Sequence, residues 1–235
     1  MTTWLIILVL IIFLAALLYW QLIIAEGAYL GAPLVALFYD WTAQRYNRIK
    51  DFNREAEAAW LGAPLVNRLH RQPQALVLDV ATGTGRIPLT LFEQPAFQGQ
   101  VVGLDRASKM IKVAVQDTAT FQKRTMFIQA DAMALPFADN SFALVTCLEA
   151  LEFLPNPATG LAELIRVLAP RSAAQPTAGW LLTSQRIGWE ARLMPGKTWP
   201  RPDLEAILSR FPLQYVEIQP WQDIYNLVWA QKVEN

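Results

Sequence analysis

Two acids and two glycines bear the chemistry that is legible in this chain: Asp79, Gly83, Gly85 and Asp105. Leu76 to Ile87, LVLDVATGTGRI, reads as a buried strand with an acid near its end, then a glycine loop opening a helix. A second apolar strand, Val101-Val102-Gly103-Leu104, is closed by Asp105. Glycine at 83 and 85 permits a tight turn and a close approach of backbone to ligand, because neither residue has a side chain in the way. Asp105, about 20 residues past the loop, stands where an acid accepts both ribose hydroxyls in nucleotide-binding α/β folds. Strand ends equipped in this way suit a ligand with a cationic end, a ribose and an adenine.

A dinucleotide fits less well. Its fingerprint G-x-G-x-x-G fails at Pro88, which occupies the third glycine place. Asp79, four residues before Gly83, opposes a pyrophosphate and favours a positive charge. Tyr46 and Lys50 spell the Y-x-x-x-K pair of short-chain dehydrogenases, but they precede the glycine loop where that pair should follow it. The run Asp79 to Gly85 instead resembles motif I of the class I S-adenosylmethionine-dependent methyltransferases, D-x-G-x-G-x-G, with Ala81 in the first glycine place. DVATGTG is particularly similar to the branch of the ubiquinone and menaquinone C-methyltransferases.

That resemblance implies a Rossmann-like, doubly wound α/β fold with a seven-stranded sheet and a closing antiparallel hairpin. It implies S-adenosyl-L-methionine as cofactor, held by Asp79, Ala81, Thr82, Gly83, Thr84, Gly85, Asp105, Arg106, Met110, Asp131, Ala132, Cys147 and Leu148. Asp131-Ala132 is the acid-plus-small pair that addresses the adenine, and Cys147 to Ala150 follow the fourth strand at the cofactor. Alanine replaces the family's usual aspartate at 143, and the polar loop from Pro170 to Ala178 replaces its usual P-G-G turn. No general base is assigned; Glu149 and Glu152 lie near the acceptor but also read as ordinary helix-start acids. Two other readings stay open: a binding module that has lost turnover, and an NAD-dependent oxidoreductase.

The elements that must position these residues follow in order. Phe127 to Ala130 and Ala143 to Thr146 read as short strands, and Leu161, Leu164, Ile165 and Leu168 form one face of a helix. Leu213 to Ile218 and Ile224 to Ala230 read as the closing hairpin. Tyr46, Ile49, Phe52, Ala56 and Trp60 recur near a helical period, in a segment that resembles the family's cofactor-covering helix. Tyr39, Arg45 and Tyr46 are placed to reach the methionine carboxylate or the acceptor, with core packing an equal account of the tyrosines. Trp180, Trp189, Trp199, Trp221 and Trp229 crowd the final third, and Ile187 to Asp203 reads as a loop or lid; an apolar acceptor and simple packing explain these equally.

Trp4 to Ala25 is uncharged and about as long as the 20 residues that cross a bilayer. Trp4, Tyr19 and Trp20 sit where interfacial aromatics anchor such a helix. The start lacks the basic residues of a cleaved signal, so a retained anchor is expected. Arg45, Arg48, Lys50 and Arg54 follow the span and none precedes it, which predicts a single-pass protein of the cell membrane with its domain in the cytoplasm. The expected division is an anchor over 1–27, an apolar linker and covering helix over 28–60, and the methyltransferase domain over 61–235. Tyr29 to Tyr39 is too short to span and is expected to be interfacial or re-entrant.

Twenty basic residues balance twenty acidic ones, so nothing favours nucleic acid as a partner. One cysteine and one histidine give neither a disulfide nor a zinc site. Cys147 reads as a small core residue and His70 as a solvated helix end. The expected partners are a membrane and a small-molecule or lipid acceptor.

Overall fold

The computed structural model describes residues 2–50, 52–171 and 177–233, the side chain of Ile49 excepted. Its centre is a sheet of seven strands in the order β3-β2-β1-β4-β5-β7-β6. These are β1 (Leu76–Val80), β2 (Gln100–Asp105), β3 (Thr125–Gln129), β4 (Leu144–Cys147), β5 (Trp180–Arg186), β6 (Leu213–Trp221) and β7 (Tyr225–Lys232). The first five are parallel; β7 runs antiparallel between β5 and β6. Strand order reverses at β1 and β4, so the carboxyl ends of β1, β2 and β4 flank a switch-point crevice where such sheets bind ligands.

Central strands of a parallel sheet are covered on both faces and therefore read as continuous apolar runs. Val77, Leu78 and Val80 on β1 and all four residues of β4 are accordingly buried. One face is covered by α7 (Pro157–Val167), whose Leu161, Leu164 and Ile165 are buried as their spacing predicts; Leu168, the next in that stripe, ends the helix in extended backbone. Asn156 caps α7 by accepting from the N–H groups of Ala158 and Thr159. At its other end Lys232 donates to the carbonyls of Ile165 and Leu168, satisfying groups the helix leaves open. The other face holds α4 (Ala63–Arg68) and α5 (Arg86–Phe92), with Leu65, Ile87 and Leu91 against Val77 and Val101. The closing hairpin expected near Leu213 and Ile224 is β6–β7, longer at both ends than the apolar runs suggest.

Thr2–Tyr19 forms α1, and a wide helical turn, Trp20–Ile24, continues it. By length and composition Thr2–Ile24 is able to cross a membrane, and none of it within α1 is buried against the protein. The last residues of the expected anchor over 1–27 also meet the protein. Ile24, Ala25 and Ala28 are buried, Trp20 Nε1 donates to the Leu193 carbonyl, and the Tyr29 hydroxyl donates to the Pro195 carbonyl. Trp20, Ile24, Ala25 and Ala28 thus pack on the domain, while Leu22 and Ile23 stay exposed like α1, the rod itself.

The expected interfacial segment is largely helical, with Leu30, Leu34 and Leu37 exposed. From Ala32 it is the start of α2 (Ala32–Lys50), a helix that lies over α6 (Ser108–Asp117). Asp40 fixes it there by accepting from the backbone N–H of Lys109 at 2.7 Å. Hydrophobicity alone does not separate a membrane face from a face buried on protein, and Val35, Ala36 and Tyr39 are used for the latter. The helical stripe from Tyr46 to Trp60 is also interrupted. Asn53 caps a new short helix, α3 (Arg54–Glu57), and Trp60 stays 56% exposed. Ile49's side chain lies outside the described residues, as does most of the loop from Pro170 to Ala178. The expected lid is partly helical: α8 (Gly188–Arg192), a turn with Met194 buried, then α9 (Arg201–Leu208).

Candidate active site

The site is assembled at the carboxyl ends of β1, β2, β3 and β4. Asp79 ends up 3% exposed beneath the loop, accepting the Thr146 hydroxyl from β4 at 2.6 Å. Burial pushes its carboxyl up to about 6, against the lowering effect of that hydroxyl. The loop then turns through three left-handed residues: Ala81 at φ 54°, Gly83 at 55° and Gly85 at 86°. The two glycines differ in purpose. A Cβ on Gly83 would meet nothing within 4 Å, and the residue lines the crevice, so backbone there is open to a ligand. A Cβ on Gly85 would stand 3.3 Å from that of Ala114, so this glycine lets the loop seat on α6. Of the two glycines expected to face a ligand, Gly83 lines the crevice and Gly85 does not.

Asp105 ties the two strand ends together. Its Oδ2 accepts from the Gly83 N–H and its Oδ1 from the Ala107 N–H, each at 2.8 Å. Each carboxylate oxygen keeps a second lone pair, enough for two hydroxyl donors from the crevice. Beyond it lies a slot lined by Leu104, Met110, Ala130 and Ala132. At its rim Asp131 Oδ1 accepts from the Met133 N–H, and Oδ2 pairs with Arg106 at 2.5 Å. An apolar slot with a carboxylate at the rim suits an adenine ring with its amino group.

The opposite end of this crevice, whose whole open volume is about 770 Å³, is apolar and aromatic. Val35 and Tyr39 come from α2, and Phe153 and Leu154 from the segment after β4. Tyr39 and Tyr46 lie 5.9 Å apart, and Phe153 meets Tyr39 edge-on. Burial raises Tyr39 well above the usual phenol range and Tyr46 to about 12, so both hydroxyls stay protonated.

Glu149 joins that end to the loop. It is held at φ 50°, with Oε1 on Arg86 at 2.7 Å and Oε2 on Lys50 at 2.9 Å. Burial alone would raise its pKa; the two cations outweigh it and hold the carboxyl below its usual range. Arg86 in turn makes a two-point pair with Glu57 and lies over the rings of Phe52 and Trp221. Glu152 is buried and accepts the Tyr225 hydroxyl at 2.7 Å. Neither glutamate serves merely to start a helix.

Of the residues marked in the sequence, Ala81, Gly83, Asp105, Arg106, Met110, Asp131, Ala132 and Leu148 line the main crevice. Asp79, Thr82 and Thr84 line a smaller recess that opens beside the glycine loop and shares Ala81, Gly83, Leu148 and Glu149 with it. Gly85 and Cys147 line neither; Cys147 is 1% exposed within the core. Its side chain is on the buried face of β4, whereas the next residues turn into the crevice. Arg45 faces an outer depression beside Lys109 and Lys112. Trp180 and Trp229 flank Arg68 on the far side of the sheet, Trp221 lies over Arg86, and Trp189 is exposed. The chain's tryptophans are therefore mainly packing here. Sequence reasoning did not find Arg86, Glu57 or Lys50, because an ion network drawn from three distant segments leaves no spacing signal.

Residues 77–171 match the family model described as a methyltransferase domain. Over that stretch this chain carries the methyltransferase domain that the family model describes. It is 34% identical to a demethylmenaquinone methyltransferase of Lactiplantibacillus plantarum over 134 residues, 56% of each protein. Identity to a demethylmenaquinone methyltransferase of Thermus thermophilus is 37% over 131 residues, 54% of this chain and 58% of that one. The chain thus spans little more than half the length of these curated relatives. Among solved structures, a SAM-dependent methyltransferase from Aquifex aeolicus covers 77% of this chain with all of its own, at a TM-score of 0.54 and 20% identity. The [4+2]-cyclase SpnF reaches a TM-score of 0.65 at 17% identity, covering 87% of this chain and 97% of its own. Likeness at that identity is of fold, and one fold hosts several chemistries.

Proposed function

We propose that this methyltransferase domain binds S-adenosyl-L-methionine in the crevice above β1 and β2 and methylates an apolar, quinol-type acceptor at the cytoplasmic face of a membrane, with α1 as anchor. The observation that supports it most is the polarity gradient of the crevice. Carboxylates and backbone donors surround the β1–β2 end, and rings and aliphatic side chains surround the other. The relatives' printed activity, and the apolar length of α1, point to the same class of acceptor.

Asp79 would face the cofactor's cationic end, Asp105 the ribose, and Met110, Ala132 and Asp131 the adenine. Bound there, the cofactor supplies a sulfonium methyl whose C–S electrons return to sulfur as the acceptor atom takes the methyl and releases its proton. The protein's part is to hold donor and acceptor in line and to exclude water, which Tyr39, Tyr46 and Phe153 do by closing the aromatic end. Glu149, which lines this end, is held by two cations, so an acidic quinol gives up its proton to solvent before the aromatic end closes over it.

The test is methylation by the full-length protein in phospholipid vesicles holding a prenylated demethylnaphthoquinol, with labelled S-adenosylmethionine. Label in the lipid fraction, and a protein retained through carbonate extraction, are expected. Tight NADH binding with no binding of S-adenosylmethionine overturns the donor; release by carbonate overturns the anchor; protease access to β7 from outside the cell overturns the orientation.

A further inference from the structure

A second apolar hollow lies outside the donor crevice, between the end of the apolar rod and α2. Leu22, Phe38, Tyr39, Thr42 and Tyr46 line it together with Glu26 and Lys50. Its open volume is about 870 Å³. The same two tyrosines also wall the donor crevice, so the hollow and the crevice share one partition of two rings.

The rod is positioned beside this hollow by three contacts beyond its exposed part. Besides the Trp20 and Tyr29 hydrogen bonds, Glu26 pairs with Arg186, itself nearly buried, at 3.2 Å. Trp20 and Tyr29 pack ring on ring at 5.1 Å. The side chain of Leu22, one turn past α1 and 47% exposed, is thereby fixed beside the hollow. An apolar hollow lined by Leu22, just past the rod, and by the two tyrosines of the donor crevice is placed to receive an acceptor drawn from the bilayer.

We propose that this hollow is the acceptor's tail-binding groove, taking the isoprenoid chain of a prenylated quinol whose ring lies against Tyr39 and Tyr46. The occupant rests on the function proposed above; the groove rests on its continuity with the rod at one end and the crevice at the other. Leu22, Phe38 and the two tyrosine rings give it an apolar lining, and Glu26 and Lys50 suit the headgroup level where a tail leaves the bilayer. The segment that continues the rod, Leu22 to Glu26, is therefore part of the acceptor site.

Two readouts test it in the full-length protein in phosphatidylcholine–phosphatidylglycerol vesicles. A naphthoquinol bearing a diazirine on a farnesyl chain, irradiated and mapped by peptide mass spectrometry, should label Leu22, Phe38 or Thr42. Thr42→Trp, which fills the groove from an exposed helix position, should abolish that labelling and raise KM for the tailed quinol at least tenfold. Leu22→Asp should do the same by charge. Both variants should keep S-adenosylmethionine affinity and the KM for a tailless naphthoquinol within about twofold. Labelling confined to α1 or to Trp189, or an unchanged KM for the tailed quinol in both variants, overturns the groove. Groove labelling by a wild-type protein that methylates neither quinol removes the proposed activity and leaves the groove supported.

Discussion

The backbone N–H of Gly83 donates to Oδ2 of Asp105 at 2.8 Å, so the glycine loop after β1 is latched to the acid that ends β2. The same carboxylate is then both structural and ligand-facing, and its removal should be felt twice.

Asp105→Ala leaves two N–H groups without an acceptor and removes the proposed ribose contacts. Each lost hydrogen bond to a charged group is worth roughly 1.5–3 kcal/mol. Cofactor affinity is expected to fall by about 10- to 100-fold by calorimetry, with Asp105→Asn intermediate because it keeps one carbonyl oxygen. Unchanged affinity in Asp105→Ala would remove this acid from the binding site.

The two loop glycines should separate in their effects. Gly85→Val combines a left-handed backbone with a Cβ 3.3 Å from Ala114, so it should lower Tm with or without cofactor. Gly83→Ala has room for its methyl and adds only the strain of a left-handed alanine, about 1 kcal/mol, so it should fold with a small loss of Tm and lose cofactor affinity. Ala81→Gly relieves a non-glycine at φ 54°, by about 1 kcal/mol before glycine's own entropic cost. Thermal melts with and without S-adenosylmethionine distinguish the three; equal melts for the wild type and Gly85→Val contradict the packing argument.

Asp79 predicts a pH dependence. Its folded pKa of about 6 lies above the ordinary 3.8, so the ligand-free protein loses stability from this group as pH rises between those values. A cation beside the carboxylate draws the pKa back down, so binding releases a proton near pH 6. Affinity should be level above pH 6 and decline below it, approaching tenfold per pH unit. Calorimetry from pH 5 to 8 in buffers of different ionisation enthalpy reports the proton; a flat profile, or one unchanged in Asp79→Asn, refutes the pairing.

Arg86→Ala should be the most damaging of the ion-network substitutions. It strips the cation from Glu57 and leaves Glu149, 8% exposed at its side chain, with Lys50 alone. Breaking a largely buried pair costs about 3 kcal/mol, which for a chain of this size is roughly 6–12 °C in Tm. Arg86→Lys restores charge but not the two-point geometry with Glu57, so it should recover less than half. A Tm within 2 °C of wild type for Arg86→Ala would show that the network carries little stability.

Strand-loop-helix order, the acids at 79 and 105, and the apolar N-terminal run were determined by sequence alone. Each is local: a strand's burial is written in consecutive apolar residues, and a turn's φ in its glycines. The tertiary structure decided what depends on neighbours distant in sequence. Apolarity at Val35 and Tyr39 states that these residues avoid water, and only α6 and Phe153 settle that protein, not lipid, covers them. Gly83 and Gly85 are alike in sequence and were separated by Ala114, which lies opposite only one of them. Cys147 follows the cofactor motif yet faces the core, because alternate residues of a strand point to opposite sides. The Glu57–Arg86–Glu149–Lys50 network joins the covering segment to the loops after β1 and β4, and its members acquire meaning only when folding brings them within hydrogen-bond reach.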